Sequence, residues 1–395
     1  MKRVILKQKE GRTLQSGGLW VYDNEIKEED DILDGEIVEV YNEKGHFFGK
    51  GFYNHHSKIR VRLLTRLNEE IDDNFFYKRL LSAYNYRKQV IDISACRLVF
   101  GDADMLSGLT IDKYNDVLVF EALSCGIDLI KEKLMLMMKE ILENDGHKIN
   151  AIMERSDAKV RTLEGLDRIK GWLIEGNPEV RIKENGLLLD IDVLNGQKTG
   201  YFLDQKNNRK ALQSYARDLT VLDCFCNQGG FALNCGLGGA KKVIGIDASS
   251  EAIARASHNA EINNLSNTVS FEVQDVFEYL PELNRQNQKF DMIILDPPAF
   301  TKSRSSLKNA LKGYREINMQ ALRLVKNGGF LVSSSCSEFL SEEDFRNVIT
   351  QAGKITHKRL RQVFFNTQAP DHPIIWGSNA SYYLKFVLLQ VEDER

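Results

Sequence analysis

The stretch "LTVLDCFCNQGGFALNCGLGGAKKVIGIDASSEAIARASHNAEINN", residues 219–264, decides the fold. Residues 219–225 form a short, nearly continuous apolar run, the pattern of a strand buried on both faces. The Gly-rich turn "CNQGG" follows, then the helix "FALNCGLGG". "KKVIGID" repeats the buried-strand pattern and leads into the helix "SSEAIARASHNAEINN", with Ser249 or Ser250 as N-cap. Strand, turn, helix, strand, helix, with Val/Ile/Leu-rich strands, predicts a parallel sheet covered on both faces.

Downstream the pattern continues. "VSFEVQD" precedes a short helical piece, and "FDMIILD" stops at Pro297-Pro298. A long helical stretch runs to "LVKNGG", then come the strand "FLVSSSCS", the helix "SEEDFRNVITQAG" and the apolar strand "SYYLKFVLLQV". Residues 186–395 are therefore expected to form a doubly wound α/β domain. Upstream, residues 1–70 read as a small β-rich module, with a hairpin turn at Glu43-Lys44-Gly45 inside "GEIVEVYNEKGHFFGKGFYN". Residues 71–185 mix helices and strands into an intervening α/β module, and the Met cluster of "DLIKEKLMLMMKEILE" reads as core.

A chain of 395 residues suits two or three such domains. The absence of any apolar run near about 18 residues argues against a membrane span, and the N-terminus shows no apolar signal region. The six cysteines are scattered, and Cys224-x-Cys226 has no partners at zinc spacing. No metal is expected, and free thiols fit the reducing cytoplasm. A net charge of −3 argues against general nucleic-acid affinity but hides local asymmetry.

In doubly wound sheets, ligands bind beyond the carboxyl ends of the strands. Here strands end at Asp223, Asp247, Asp275 and Asp296. The turn from Asp223 through Phe225 to Gly229-Gly230 lets backbone approach a ligand. Asp247, with Ala248 beside it, lies where an acid accepts ribose hydroxyls, and Asp275 with the Val276 amide where an adenine edge would lie. The turn is neither G-x-G-x-x-G nor followed by a phosphate-binding lysine. A nucleoside without a polyphosphate, such as S-adenosylmethionine (SAM), suits it best. In Asp296-Pro297-Pro298-Ala299-Phe300 the prolines stiffen the backbone, so that Asp296 and the carbonyls can hold a planar base and Phe300 can stack on it.

These motifs resemble class I SAM-dependent methyltransferases. Together with "FGDADMLSGLTIDKYNDV" (100–117), "GQKTGYFLDQKNNR" (196–209), "KGYREIN" (312–318) and "SSSCS", they resemble the bacterial 23S rRNA large-subunit methyltransferase I family across essentially the whole chain. The resemblance implies a Rossmann-like catalytic domain, a PUA domain over 1–70, SAM as cofactor and 5-methylcytosine in 23S rRNA as product. It also implies cofactor contacts from Phe202 and Gln205.

Cytosine C5 is a poor nucleophile until a thiolate adds to C6. Cys336 lies at the end of the strand after Asp296, so adjacent parallel strands would bring the two to one sheet edge. Cys336 is expected as nucleophile and Asp296 at N3, with the neighbouring serines available to the thiolate. A second class of RNA 5-methylcytosine enzymes has another cysteine where this chain has Pro298, so the base that takes the C5 proton stays open. The rival reading is amine methylation, for example at guanine N2, because an Asp-Pro-Pro-aromatic segment also serves such enzymes. A non-catalytic RNA- or SAM-binding module fits the intact cleft poorly.

For RNA, Lys302, Arg304, Lys308, Lys312 and Arg315 follow the Pro-Pro loop without an intervening acid. Lys58, Arg60 and Arg62 lie in a second basic stretch with interleaved aromatics. An enzyme of this kind acts as a monomer or a homodimer.

Overall fold

A computed structural model describes residues 1–301, 303–376 and 381–394. The chain forms two compact units, Met1–Ile182 with Ile191–Leu203 and Pro370–Ser381, and Lys183–Asp190 with Asp204–Ala369 and Tyr382–Arg395. The first unit therefore contains both expected upstream modules and two later segments.

The first unit holds a six-stranded sheet and a five-stranded sheet. The six-stranded one runs from Arg3–Leu6 to Ile59–Thr65 and includes the hairpin Ile37–Asn42/Phe47–Tyr53, with Gly45 at φ 78° in its turn. The five-stranded one, Ala95–Phe100 through Gly171–Ile174, packs against the helices Asp73–Val90 and Cys125–Asn144. Met135 and Met138 are fully buried there, as expected of core residues. Phe52 and Leu64 of the first sheet share this core. A Cβ on Gly126 would sit 2.0 Å from Phe52 Cγ, so this helix approaches the strand only because position 126 is glycine. That shared core joins 1–70 to 71–185.

The second unit is built on a seven-stranded sheet. Its strands are β1 (Thr220–Cys224), β2 (Lys242–Asp247), β3 (Val269–Val273), β4 (Phe290–Leu295), β5 (Val325–Ser335), β6 (Lys358–Asn366) and β7 (Lys385–Asp393). They lie in the order β3-β2-β1-β4-β5-β7-β6. The first five are parallel; β7 runs antiparallel to β5, and β6 antiparallel to β7. The order reverses between β1 and β4, which puts the topological switch point at their carboxyl ends.

Among the described residues, the α-helices that accompany the sheet are α1 (Lys206–Gln213), α2 (Gly230–Leu237), α3 (Ser250–Ile262), α4 (Val276–Arg285), α5 (Leu307–Leu324) and α6 (Glu342–Ile355). Ser249 is the N-cap of α3, its hydroxyl accepting the Ala252 N–H. Two features escape the periodicity. The strand β6 is rich in charged residues because it is the sheet edge, and the hairpin Glu179–Glu184/Leu187–Asp192, where the chain passes between units, follows no helical connection.

Candidate active site

The carboxyl ends of β1, β2, β4 and β5 gather the expected residues. After β1, Phe225 (φ 62°), Asn227 (φ 48°) and Gly229 (φ 80°) adopt left-handed backbone, folding the chain back sharply into α2. Asp247 holds this turn, accepting the Asn227 N–H at 3.0 Å and the Ser249 N–H at 2.9 Å. It remains half-buried, so its outer lone pairs can still meet a ligand. A Cβ on Gly229 would lie 2.6 Å from Phe271 Cζ. Gly229→Ala is therefore expected to cost about 1–3 kcal/mol through strain and overpacking. SAM affinity, measured by calorimetry, should fall about tenfold as the turn shifts.

Asp223, expected at the cofactor, has no exposed surface. One oxygen accepts the Ala232 N–H at 2.9 Å, and the other has no partner among the described residues. Burial, reinforced by Asp296 and Asp247, pushes its carboxyl well above the usual range. Asp223 thus braces α2 from beneath the turn. Asp275 caps α4 through the Phe277 N–H at 2.8 Å and is otherwise exposed, while Val276 is buried.

At the end of β4, Asp296 Oδ1 accepts a hydrogen bond from Gln205 Nε2 at 3.0 Å and a short one from the Ser334 hydroxyl. Gln205 Oε1 in turn accepts from Asn208 Nδ2 at 2.7 Å on α1. Pro297 is buried and Pro298 exposed. Phe300 packs against Tyr314 at 4.5 Å and Phe277 at 5.9 Å, and Phe277 continues to Phe225 at 6.0 Å. An aromatic row thus lines the loop, and Phe300 already uses part of its surface within it.

Leu295 pairs with Ser333 across β4 and β5, which brings Asp296 beside Ser334 and places Cys336 just beyond the strand end. Cys336 is half-buried. The hydroxyls of the serine run bond elsewhere: Ser334 to Asp296, Ser335 to the Tyr314 hydroxyl at 2.8 Å, and Ser337 to the Thr301 carbonyl at 3.1 Å. They shape the strand end. Burial pushes the Tyr314 phenol up to about 12, with Cys336 adding to the shift. Cys224, Cys226 and Cys235 are buried and their thiols are pushed up by that burial, as expected of packing residues.

One residue the sequence reading passed over is Lys385. Its Nζ donates to the Ser337 carbonyl at 2.7 Å and the Tyr383 carbonyl at 3.0 Å, and it is 1% exposed. A lysine within the apolar "YYLKFVLL" was the available signal.

Phe202 belongs to the first unit, where Lys198 Nζ lies 4.4 Å over its ring. That segment is pinned within the unit. Thr199 donates to Asp112 Oδ2 at 2.5 Å, Tyr114 reaches Thr199 at 2.9 Å, and Arg155 donates to the Gly196 carbonyl at 3.1 Å.

Of the expected RNA contacts, Lys308 and Lys312 stand exposed on α5, and Arg315 reaches Gln351 at 3.4 Å. Lys302 and the Arg304 side chain lie outside the described residues. Lys58 is exposed, and Arg60 lies 5.9 Å over Tyr53. Arg62, also expected on RNA, is ion-paired with buried Glu164 at 2.8 Å and stacked 5.4 Å from Trp20. Burial of its partner commits that guanidinium to the fold.

Residues 4–66 match the model of a PUA-like domain, and residues 216–386 that of a methyltransferase domain. The chain is 36% identical, over 99% of both sequences, to the ribosomal RNA large subunit methyltransferase I of Alteromonas mediterranea. It is 38% identical to that of Tolumonas auensis over 90% of each. A candidate SAM-dependent methyltransferase from Streptococcus mutans superposes with a TM-score of 0.83 at 22% identity, covering 99% of this chain and 100% of the other. A methyltransferase solved with SAH gives 0.84 at 21% identity, with the same coverage. Fold and site together define a SAM-dependent methyltransferase with a PUA-like N-terminal domain. The chain belongs to the ribosomal RNA large subunit methyltransferase I family. No helix among the described residues is long and apolar enough to cross a membrane.

Proposed function

We propose that this SAM-dependent rRNA large subunit methyltransferase acts on C5 of a cytosine, with Cys336 as covalent nucleophile and Asp296 at N3. The observation that carries the reading is the meeting of Asp296 and the Cys336 strand end on one sheet edge. The left-handed turn at 225–229, Asp247 and the Gln205–Asp296 pair fit a nucleoside cofactor that brings no phosphate. SAM, when bound, supplies an electrophilic methyl group.

The Cys336 thiolate adds to C6, forming the S–C6 bond and moving electron density toward C5 and N3. Asp296, held by Gln205 and Ser334, hydrogen-bonds or protonates N3 and stabilises that charge. Once C5 carries the methyl group, loss of its proton returns the electron pair, breaks the S–C6 bond and releases the thiolate. Lys308, Lys312 and Lys58 supply exposed cations for phosphates, and the PUA-like domain a second RNA-binding surface. Amine methylation at guanine N2 would use the same loop but has no need of a thiol.

The experiment is trapping. In the presence of SAM, large-subunit rRNA fragments carrying 5-fluorocytosine should form a denaturation-stable covalent adduct with the protein, because fluorine cannot leave C5 as a proton does and the S–C6 bond persists. Peptide mass spectrometry should locate it on Cys336. Turnover on normal RNA without any adduct would transfer the assignment to amine chemistry.

A further inference from the structure

We infer that Lys385 is a positioning residue, its buried ammonium holding the Cys336 sulfur as the thiolate that the proposed covalent mechanism requires. The inference rests on that mechanism for its purpose, but not for its test. Three observations carry it. In the β5/β7 pairing Lys385 lies opposite Ser335, one residue before Cys336. Its Nζ is anchored on the carbonyl of Ser337, one residue after Cys336, at 2.7 Å, and on that of Tyr383 at 3.0 Å. A lysine so buried has lost its water, and its charge persists only through such carbonyls and a nearby anion.

The neighbouring groups make the cation necessary. Asp296 comes from β4, Tyr314 from α5, Glu338 from the turn after Cys336, and Glu342 from α6, while the Tyr382 ring lies 5.4 Å from Nζ. Glu338 and Glu342 act on the lysine together with Cys336, and the Tyr314 phenol, pushed up to about 12, stays neutral. Lys385 supplies the opposing charge. Burial draws the lysine down to about 8, while Cys336, Glu338 and Glu342 act in the opposite direction. The ammonium is therefore present below about pH 8 and lost above it. The pairing thus operates around neutrality, where a free thiol is mostly protonated.

The test is the pH dependence of Cys336 alkylation by iodoacetamide in the full-length protein, read at the Cys336 peptide by mass spectrometry. In the wild type the midpoint should fall below the ordinary thiol value of about 8.5. In Lys385→Met, alkylation at pH 7 should slow about tenfold or more as the midpoint rises. SAM binding should persist in that variant. A wild-type midpoint at or above about 8.5, or a folded Lys385→Met protein with an unchanged midpoint, overturns the inference. The wild-type titration decides even if the variant does not fold. The two readings also fail separately. A Cys336→Ala protein that still methylates removes the covalent mechanism while leaving the thiol–lysine pairing measurable. A trapped adduct with an unperturbed thiol removes only the role of Lys385.

Discussion

Cys336→Ala should leave a folded protein that binds SAM within about twofold of the wild type and transfers methyl groups at least about a thousandfold more slowly, a loss of about 4 kcal/mol of transition-state stabilisation. The reasoning is local. Cys336 lies beyond the end of β5 and is half-buried, so truncation at Sγ leaves only a small gap. The turn at 225–229 is held by Asp247 and by the Cys226 N–H to Ile246 carbonyl bond at 3.0 Å. On the proposed covalent mechanism the rate should collapse, because thiolate addition to C6 is the step that activates C5. Single-turnover assays on rRNA fragments, with SAM binding by calorimetry, measure both halves. A variant retaining more than a tenth of the wild-type rate would sink the covalent mechanism.

Asp296→Asn should lower kcat about a hundred- to ten-thousandfold, the range for losing a positioned acid–base group, while the melting temperature stays close to the wild type. The asparagine oxygen can still accept from Gln205 Nε2 and the Ser334 hydroxyl, so the loop keeps its frame. What disappears is the carboxylate that the proposed mechanism sets against N3, and formation of the 5-fluorocytosine adduct should slow in parallel. This variant also discriminates between the two chemistries, because asparagine serves equally well in an amine-methylating loop of this kind. Near-normal turnover by Asp296→Asn would favour guanine N2 over cytosine C5.

Glu184, Asn185 and α1 show how such a loop is kept in place. Arg209 makes a two-pronged ion pair with fully buried Glu184, at 2.7 and 2.8 Å, and Asn185 Nδ2 donates to the Lys206 carbonyl at 2.8 Å. Such a pair is costly to break from one side, since the remaining charge stays buried. It fixes the start of α1, and with it Gln205 beneath Asp296.

Much of this was written in the sequence by itself. The apolar runs of β1, β2 and β4 are short and uninterrupted, so their burial in a parallel sheet followed from composition and period alone. The acids at their ends, the Pro-Pro loop and the cysteine after "FLVSSS" are local features, and the sheet rule that ligands bind at carboxyl ends was enough to group them. Other assignments depended on pairings between residues far apart in the chain. The charged β6 becomes a strand because β7 offers it an edge, which no local pattern announces. Arg62 reads as one of a basic run, and only the fold pairs it with Glu164, 102 residues away. Asp223 reads as a strand-end acid, and only the fold buries it against the Ala232 N–H. Lys385 reads as a stray charge in an apolar strand, and only the antiparallel register of β5 and β7 sets it opposite Ser335, beside the Cys336 turn. Periodicity encodes which face of an element is buried; it carries no record of which distant charge that face will meet, because that is settled by packing.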